Sequence, residues 1–371
     1  MNKKIILIIS VIVAVVIAAL AFSGSKKDSD PRPLIKIGVS LPMSGNMSYV
    51  GVPTREAALM AWEKWQSRDT KFRYKLIFED DMYDQKKIAM IGNKFVGMDK
   101  VNAILGIWNL TNYHYRELAH KANIPFMSCG WGHGTSDGIL VFNNQTPHDE
   151  HARAFTEIVR DKYKAKTVAY VGQISPGDYA IKEDILNAFK KAGIKVVFQE
   201  SVNYGTTDYN IMIQKIKSAN PEVIVIPMAP TEMQIFTKQL FEAGIKIPLV
   251  TVDYFESVKD PTVFDGMYMV MSSSGTPEFK KQMEQRTGKP WPQSDCIAPV
   301  YDNVDILIYA FENAVAEPGQ IPTTEEVVKV IRGIKNWPGA MMDSISVRPD
   351  GRVFSPASIS IMKGGKAVKI P

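Results

Sequence analysis

The sequence predicts a two-lobed α/β protein in which two parallel, doubly wound sheets are joined by a hinge of several chain segments. Three observations lead to this prediction. Strand and helix patterns alternate along the first part of the chain, the alternation restarts after Pro147, and the C-terminal remainder is too small to form its own core. Such a remainder must complete both earlier units, so the chain has to cross between them more than once.

The first 33 residues are expected to direct export. Lys3 and Lys4 precede an apolar run without charged residues over residues 5–22, and Ala19-Leu20-Ala21 offers a small-x-small cleavage site. The run is close to the length of a bilayer span, so an uncleaved signal anchor is the alternative to a cleaved signal peptide. Residues 23–33 form a polar tether. We therefore expect the protein at the periplasmic or extracellular face of the membrane, secreted or anchored.

The remaining chain is nearly neutral. The sequence has 44 Lys and Arg against 39 Asp and Glu, and residues 1–33 hold five of the former and two of the latter, which leaves 39 against 37. No basic stripe indicates nucleic acid as a partner. A chain of this length exceeds what one core usually supports, so two domains are expected.

The first unit begins with a buried-type strand, a Pro-Ser-Gly turn and an amphipathic helix that reaches Trp65. Further strand patterns are separated by helical periodicity, which favours a parallel sheet. The predicted strands are Ile35–Leu41, Phe72–Glu79, Asn102–Ile107, Ile124–Ser128 and Ile139–Phe142, and the intervening helices are Gln85–Met98 and Asn112–Ala122.

The second unit repeats this order without sequence identity, and Gly193 supplies a helix C-cap signal. Its predicted strands are Thr167–Val171, Lys195–Glu200, Val223–Pro227 and Pro248–Val252, and its helices are Ala180–Ala192, Asp208–Ala219 and Thr231–Ala243.

The C-terminal remainder is predicted to divide between the lobes. It contains a strand at Tyr268–Ser272, helices at Phe279–Gly288, Ile297–Val315 and Glu325–Ile331, and a hairpin that pairs Ser344–Val347 with Ile359–Met362 around Asp350-Gly351. Crossings are expected near Gln145–His148, near Ser272–Thr276 and once more late in the chain. These assign 34–147 and 273–345 to lobe 1, and 148–272 and 346–371 to lobe 2.

Short marks along the chain match a known family in order and spacing. They are Ile35-Lys36-Ile37-Gly38, Pro42-x-Ser44-Gly45 with Gly51, Asp80-Asp81 with Asp84, Leu105-Gly106, Ile124-Pro125-x-x-Ser128, Gly177-Asp178-Tyr179 and Tyr301-Asp302. On these residues the chain resembles the type I periplasmic substrate-binding proteins of ABC transporters, in the branched-chain amino acid (Leu/Ile/Val) subgroup.

The resemblance implies two Rossmann-like lobes that close on a ligand and deliver it to an ABC transporter permease. The ligand class is a small organic solute: an amino acid, an amide, or an aromatic or apolar acid. No enzyme activity, cofactor, metal or nucleic acid is expected, and the protein is expected to be a monomer. A membrane-tethered sensor that reports the ligand to a signalling partner is the alternative, and an enzyme using Cys129 or Asp253 is a third.

Candidate binding residues come from the loops at the carboxyl ends of the strands, where ligands of parallel α/β sheets lie. Hydroxyls and main-chain amides that precede helices suit a carboxylate. The candidates in the first lobe are Tyr49, Trp108, Asn109, Leu110, Thr111, Ser128, Gly130 and Trp131.

The family holds its ligand carboxylate through the second and third of these loops, which the resemblance places at Leu110–Thr111 and Gly130–Gly132. Leu110 and Gly132 replace the hydroxyl residues common in amino acid binders, which argues against a standard α-amino acid as the ligand. For Thr111, an ordinary N-cap of the following helix is the alternative.

In the second lobe the candidates are Tyr179, Ala229 and Asp253. The resemblance makes Tyr179 the cleft tyrosine and puts Asp253 where the family has the acid that pairs with a ligand ammonium; the alternative for Asp253 is an N-cap. Cys296 is expected to line the cleft, where relatives have an apolar side chain. Five aromatic residues are candidates for the cleft, and three of them are expected to touch ligand: the five are Tyr49, Trp108, Trp131, Tyr179 and Tyr254. The alternative is that some belong to the core, Trp108 among them because it directly follows a strand.

Three other motifs are given structural explanations. His148-Asp149-Glu150-His151 is predicted to be a helix start with acids in its first turn rather than a metal site. Asp80-Asp81 is predicted to orient loops at the lobe edge. Cys129 and Cys296 are expected to be two separate buried side chains, with a disulfide as the alternative because exported proteins meet oxidant.

Overall fold

Two β-sheets organise the chain in the computed structural model, which describes residues 30–370 apart from 131–134, 175, 204, 229, 253–259 and 292–295. The side chains of 46, 176–180 and 230 are likewise left undescribed. Sheet A has five parallel strands in the order β2-β1-β3-β4-β5. These are β1 (Leu34–Leu41), β2 (Arg73–Asp80), β3 (Ala103–Ile107), β4 (Phe126–Cys129) and β5 (Val141–Asn143).

Helices cover both faces of sheet A, as a doubly wound sheet requires. One face packs against α2 (Gln85–Lys94) and α3 (Trp108–Ala122). The other packs against α1 (Ser48–Gln66) and three helices from late in the chain. The late helices are α8 (Pro277–Thr287), α9 (Ile297–Asn313) and α10 (Thr324–Arg332). Of these, α9 is buried along nearly all of its length because α1 and α10 cover the sides that the sheet leaves open.

Sheet B has seven strands in the order β14-β13-β10-β9-β8-β6-β7, of which β6 to β10 are mutually parallel. One face packs against α4 (His148–Glu157) and α5 (Pro176–Lys191), and the other against α6 (Asn210–Ala219) and α7 (Pro230–Glu242). The strands are β6 (Thr167–Gln173), β7 (Lys195–Val202), β8 (Val223–Val225), β9 (Leu249–Val252), β10 (Tyr268–Met271), β13 (Ser358–Lys363) and β14 (Lys366–Lys369).

The prediction of the C-terminal hairpin is wrong, because the two predicted strands do not pair with each other. The turn at Asp350-Gly351 joins β11 (Ser346–Val347) to β12 (Val353–Phe354), whereas β13 pairs with β10 and β14. The link between β13 and β14 is Gly364-Gly365, with φ of 57° and 70°, a two-residue turn that only glycine adopts without strain. Val347 and Val353 pack in the core of sheet A, so the predicted lobe change at 346 comes too early.

The chain crosses between the two cores at 144–147, 272–276 and 355–357. The first two crossings leave β5 and β10 at their carboxyl ends, so the carboxyl edges of both sheets border the same junction. Hydrogen bonds join the three segments: the buried Thr146 and Ser355 hydroxyls lie 3.1 Å apart, and the Ser273 N–H donates to Thr146 Oγ1 over 3.1 Å. The junction is therefore one polar, internally bonded unit.

His151 connects the first two crossings. It lies in α4, which begins at His148 with Asp149 in its first turn, as predicted. Nδ1 is 3.1 Å from the Pro147 carbonyl oxygen and Nε2 is 2.9 Å from Ser272 Oγ. Burial lowers the pKa of His151 to about 4, although the Pro147 carbonyl acts in the opposite direction. The imidazole is therefore neutral at physiological pH and serves as a structural bridge.

We predict that His151 makes the protein acid-sensitive. Its folded pKa lies below the value of about 6.5 in the unfolded chain. The associated stability is therefore complete above pH 6.5 and lost as pH falls towards 4, by about 2 kcal/mol between pH 7 and pH 5. Urea unfolding at these two pH values should show a pH dependence smaller by this amount in His151→Gln than in wild type.

Equal slopes for wild type and His151→Gln would show that His151 does not titrate in this range.

Candidate functional site

Asp80 fixes the loop that follows β1. Its Oδ1 accepts hydrogen bonds from the Met43 and Ser44 amides at 2.8 and 3.1 Å, and its Oδ2 accepts one from Ser44 Oγ at 2.5 Å. Burial acts to raise the pKa of Asp80, but these bonds and one from the Met82 amide outweigh it and lower the pKa. Asp80 thus holds a loop at the carboxyl edge of sheet A, in keeping with its predicted role.

Asp81 is the end of a buried polar chain. Its Oδ2 accepts from Ser40 Oγ at 2.6 Å, and Ser40 Oγ accepts from the Tyr115 hydroxyl at 2.8 Å. All three residues are fully buried. Burial raises the pKa of Asp81. Because the carboxylate also accepts from the Tyr83 amide at 2.8 Å, it shapes the loop after β2 from beneath.

The loop after β3 is shorter than predicted. Helix α3 begins at Trp108 rather than at Asn112, directly after β3, and Trp108 has a φ of 62°. Thr111 is therefore inside the first turn, where its hydroxyl donates back to the carbonyl oxygens of Ile107 and Trp108 at 2.5 and 3.0 Å. Thr111 is neither an N-cap nor accessible, since its exposed fraction is zero.

Polar atoms at the start of α3 lack partners within the described residues. The N-cap position, Ile107, has no side chain that could cap the helix. Asn109 Oδ1 and both amide atoms of Asn112 are buried without a hydrogen bond to any described group. Such groups cost free energy unless a water or ligand satisfies them. Leu110 is half-buried and packs towards α2.

Asn143, at the end of β5, clamps the loop that follows β4. Its Oδ1 accepts from the Gly130 amide at 2.9 Å and from Ser128 Oγ at 3.2 Å. Its Nδ2 donates to the Gly130 carbonyl oxygen at 2.7 Å and to Thr135 Oγ1 at 2.8 Å. The Gly130 N–H, which the resemblance offered to a ligand carboxylate, is therefore used inside the protein. Ser128 is fully buried, and its hydroxyl is committed to this network.

A disulfide joins Cys129 to Cys296, so the expectation of two separate thiols is wrong. The two Cα atoms lie 5.6 Å apart, because the end of β4 meets the N-terminus of α9 inside the core of sheet A. The bond excludes a thiolate nucleophile at Cys129. Cys296 has no exposed surface, so its part in the site is to hold the base of the loop rather than to present a side chain.

The remaining candidates divide into two groups. Tyr49 lies in the first turn of α1 with 57% of its surface exposed. Three residues lie outside the described residues, and the side chain of a fourth is not described, so their roles remain predictions: they are Trp131, Ala229, Asp253 and Tyr179.

The structure thus brings one set of predicted residues together at the carboxyl edge of sheet A: Trp108, Asn109, Leu110, Thr111, Ser128, Gly130 and Cys296. Sequence interpretation missed Asn143, Asn112 and Tyr83 as residues of this edge. A signal for Asn143 existed, since an Asn-Asn-Gln run directly follows a buried strand.

In the described part of the chain, no three His, Cys, Asp or Glu side chains are grouped as metal ligands would be. Every helix described falls short of a membrane span in length or in apolar character. The predicted export segment lies outside the described residues.

Two parallel α/β sheets whose carboxyl edges flank one junction of three crossing segments define the type I fold of periplasmic binding proteins. The sequence agrees: the chain belongs to the periplasmic binding protein family, whose profile matches residues 34–366.

Curated relatives and solved structures give the same assignment. A leucine-, isoleucine-, valine-, threonine- and alanine-binding protein of Pseudomonas aeruginosa is 25% identical over 62% of this chain and 62% of its own length. An amino acid binding protein of the same species is 22% identical over 82% of this chain and 86% of its own length. The chain aligns with about three-fifths of the first of these relatives.

A leucine-binding protein of Thermotoga maritima superposes with a TM-score of 0.77 at 19% identity, over 91% of this chain and 98% of that one. An isoleucine-bound branched-chain amino acid binding protein of Streptococcus pneumoniae gives 0.74 at 20% identity, over 91% of this chain and 100% of that one. At these identities the structures establish the fold.

We predict that the disulfide is a major source of stability. It closes a loop of 167 residues, and removing a native disulfide costs about 2–5 kcal/mol. Urea unfolding of Cys129→Ala/Cys296→Ala should show this loss. Added reductant should lower the stability of wild type but leave the double variant unchanged. Two titratable thiols in the oxidised wild-type protein would contradict the bond.

We predict that Asn143→Ala destabilises the protein by about 2–4 kcal/mol, because it leaves the Gly130 amide and carbonyl buried without partners. Asn313→Ala is the matched control: Asn313 is exposed and its one side-chain bond is to the Tyr309 carbonyl, so its effect should stay within about 0.5 kcal/mol. Equal losses in the two variants would show that Asn143 is not a clamp.

Proposed function

We propose that this protein is an extracytoplasmic receptor that captures a small organic solute between its two lobes and delivers it to an ABC transporter permease. The observation that carries the proposal is the junction: the carboxyl edges of both sheets, where such folds bind ligands, border the same three crossing segments. Family membership supports a solute-binding role, and the named relatives bind amino acids.

The lobes would act unequally. Solute first meets the carboxyl edge of sheet A, where polar atoms of Asn109 and Asn112 at the start of α3 have no partner among the described residues. Lobe 2 then rotates about the crossings and contributes Tyr179, Ala229 and Asp253. Closure removes water and strengthens every polar contact to the solute. The permease recognises a surface that exists only in the closed form. Because the ligand stabilises the closed form, the permease meets that surface only when ligand is bound. No covalent step is involved.

The ligand class follows from the groups at the edge. Thr111, Ser128 and the Gly130 N–H are committed inside the protein, so these three donors are not available to an α-amino carboxylate. Among the residues that the structure describes at this edge, the amide atoms of Asn112 and the half-buried Trp108 indole remain for a ligand. An apolar acid or amide therefore fits better than a small polar amino acid, and Asp253 decides whether an amine is also accepted.

We predict that the purified chain from Leu34 onward binds a member of a panel of L-leucine, L-phenylalanine, benzoate and phenylacetamide. A ligand present at one hundred times its dissociation constant adds about 2.7 kcal/mol of stability, which a thermal-shift assay detects. X-ray scattering should show a smaller radius of gyration with that ligand. Absence of binding across all four chemistries would contradict the proposed ligand class.

Asp253→Asn separates the amine contact from the rest of the site. If Asp253 pairs with an ammonium, the substitution should weaken L-leucine and L-phenylalanine binding and leave benzoate and phenylacetamide unchanged. Shifts for the two compounds without an amine, and none for the amino acids in wild type, would show that Asp253 does not have this role.

A further inference from the structure

Three bulky residues with left-handed backbone meet at the carboxyl edge of sheet A. Eight non-glycine residues in the described chain have positive φ, and five of them are Asn or Lys at helix ends or turns, where this conformation is common. The other three are Met82, Tyr83 and Trp108, with φ of 52°, 54° and 62°. For residues of this size the conformation is strained, and strain of this kind collects at functional sites.

Met82 and Tyr83 occupy the centre of a tight turn. The Asp84 amide donates to the Asp81 carbonyl oxygen at 2.9 Å, and both central residues have positive φ, which is the pattern of a type I′ turn. Asn-Gly is the usual sequence there. The Asp80 and Asp81 carboxylates enforce the conformation, since they accept from the amides of Met82 and Tyr83 at 3.2 and 2.8 Å.

Packing of Met82 does not offset this strain, because 42% of its surface is exposed. What the turn achieves is the placement of Tyr83. The Tyr83 ring meets the Trp108 ring edge to face, with centroids 5.2 Å apart and planes at 81°. These residues follow β2 and β3, which lie on either side of β1, so the contact spans the carboxyl end of β1.

Trp108 is the aromatic residue of the candidate site that the structure describes at the start of α3. Its indole is half-buried, packs on the core of sheet A from one side and meets Tyr83 from another. Its own backbone is strained, so the indole direction depends on contacts that hold it. Tyr83 is such a contact.

We propose that Tyr83 is a positioning residue: the strained Asp81–Asp84 turn presses its ring against Trp108 and fixes the indole as an apolar wall of the solute site. The proposal rests on the proposed function for its ligand. It also narrows the expected ligand class, because a rigid indole wall selects solutes with an aromatic or branched apolar group over small polar ones.

The strain makes a sharp test available. Tyr83→Gly removes the ring but relieves the left-handed backbone, which glycine adopts freely. Tyr83→Phe keeps the ring. A residue present only for stability should lower the unfolding midpoint when it is lost. A positioning residue held under strain should instead lose affinity while the unfolding midpoint in urea stays the same or rises.

Lys100→Gly is the matched control. Lys100 has nearly the same φ, 56°, but is exposed at the end of the turn that follows α2. Relief of strain alone should therefore raise or preserve its unfolding midpoint and leave ligand affinity unchanged within about twofold.

We expect Tyr83→Gly to weaken binding of the tightest panel compound, benzoate, phenylacetamide or L-phenylalanine, roughly tenfold, and Tyr83→Phe to weaken it less than about threefold. The unfolding midpoint of Tyr83→Gly should be no lower than that of wild type. Unchanged affinity in Tyr83→Gly, or a loss of affinity that follows a loss of stability, would overturn the proposal.

A readout without ligand separates this proposal from the proposed function. The near-ultraviolet circular dichroism of wild type minus that of Trp108→Phe isolates the band of the Trp108 indole. That band should persist in Tyr83→Phe and be lost in Tyr83→Gly. If no panel compound binds wild type, the proposed ligand class fails while this band still decides whether Tyr83 orders Trp108; a band retained in Tyr83→Gly overturns the positioning role.

Discussion

The architecture depends on satisfying buried polar groups where the chain passes between two cores. Three segments meet at this point, and the backbone groups of the fully buried segment 144–147 cannot reach water. Side chains provide the partners: Thr146 bonds to the segments that contain Ser273 and Ser355, and His151 joins Pro147 to Ser272. Because these bonds lie at the carboxyl edges of both sheets, the same constraint that closes the junction also sets the position of the cleft.

Loop positioning at the edge of sheet A follows the same logic on a smaller scale. Three loops at this edge are each anchored at the base by groups bonded inside the protein: Asp80 for the loop after β1, Asp81 for the loop after β2, and Asn143 with the disulfide for the loop after β4. Anchors of this kind hold polar groups ready before ligand arrives, which lowers the entropic cost of binding. They also occupy hydrogen-bond donors, such as the Gly130 N–H, that the sequence alone assigns to the ligand.

Most elements were predictable from the sequence because they depend on local periodicity. The strands of both sheets and the helices between them follow alternating and 3.6-residue patterns, and the predicted bounds of β1, β3 and β9 match within one residue. The start of α3 was missed, since Trp108 enters the helix with positive φ and no capping side chain. The hairpin error has a similar origin: Gly364-Gly365 carried the turn signal, but pairing with β10 depends on distant sequence.

The site was less predictable because its key contacts join residues far apart in the chain. Cys129 and Cys296 are separated by 167 positions, and no local pattern shows that β4 ends against α9. Asn143 looks like an ordinary polar residue after a strand until Gly130 and Thr135 are seen on either side of it. Tyr83 gave no signal at all, since its importance lies in a φ value and a ring contact.

The core of sheet A contains residues from both ends of the described chain, and this affects how the protein folds during synthesis. Ile37, from the first strand, packs in the same core as Val327 and Val353. This lobe therefore cannot complete its folding until nearly the whole polypeptide has been synthesised. Contacts so distant in sequence form slowly. In a nascent chain the core of sheet A therefore stays incomplete until its C-terminal segments have been made, and the bond between Cys129 and Cys296 then links two parts of the chain that are 167 positions apart.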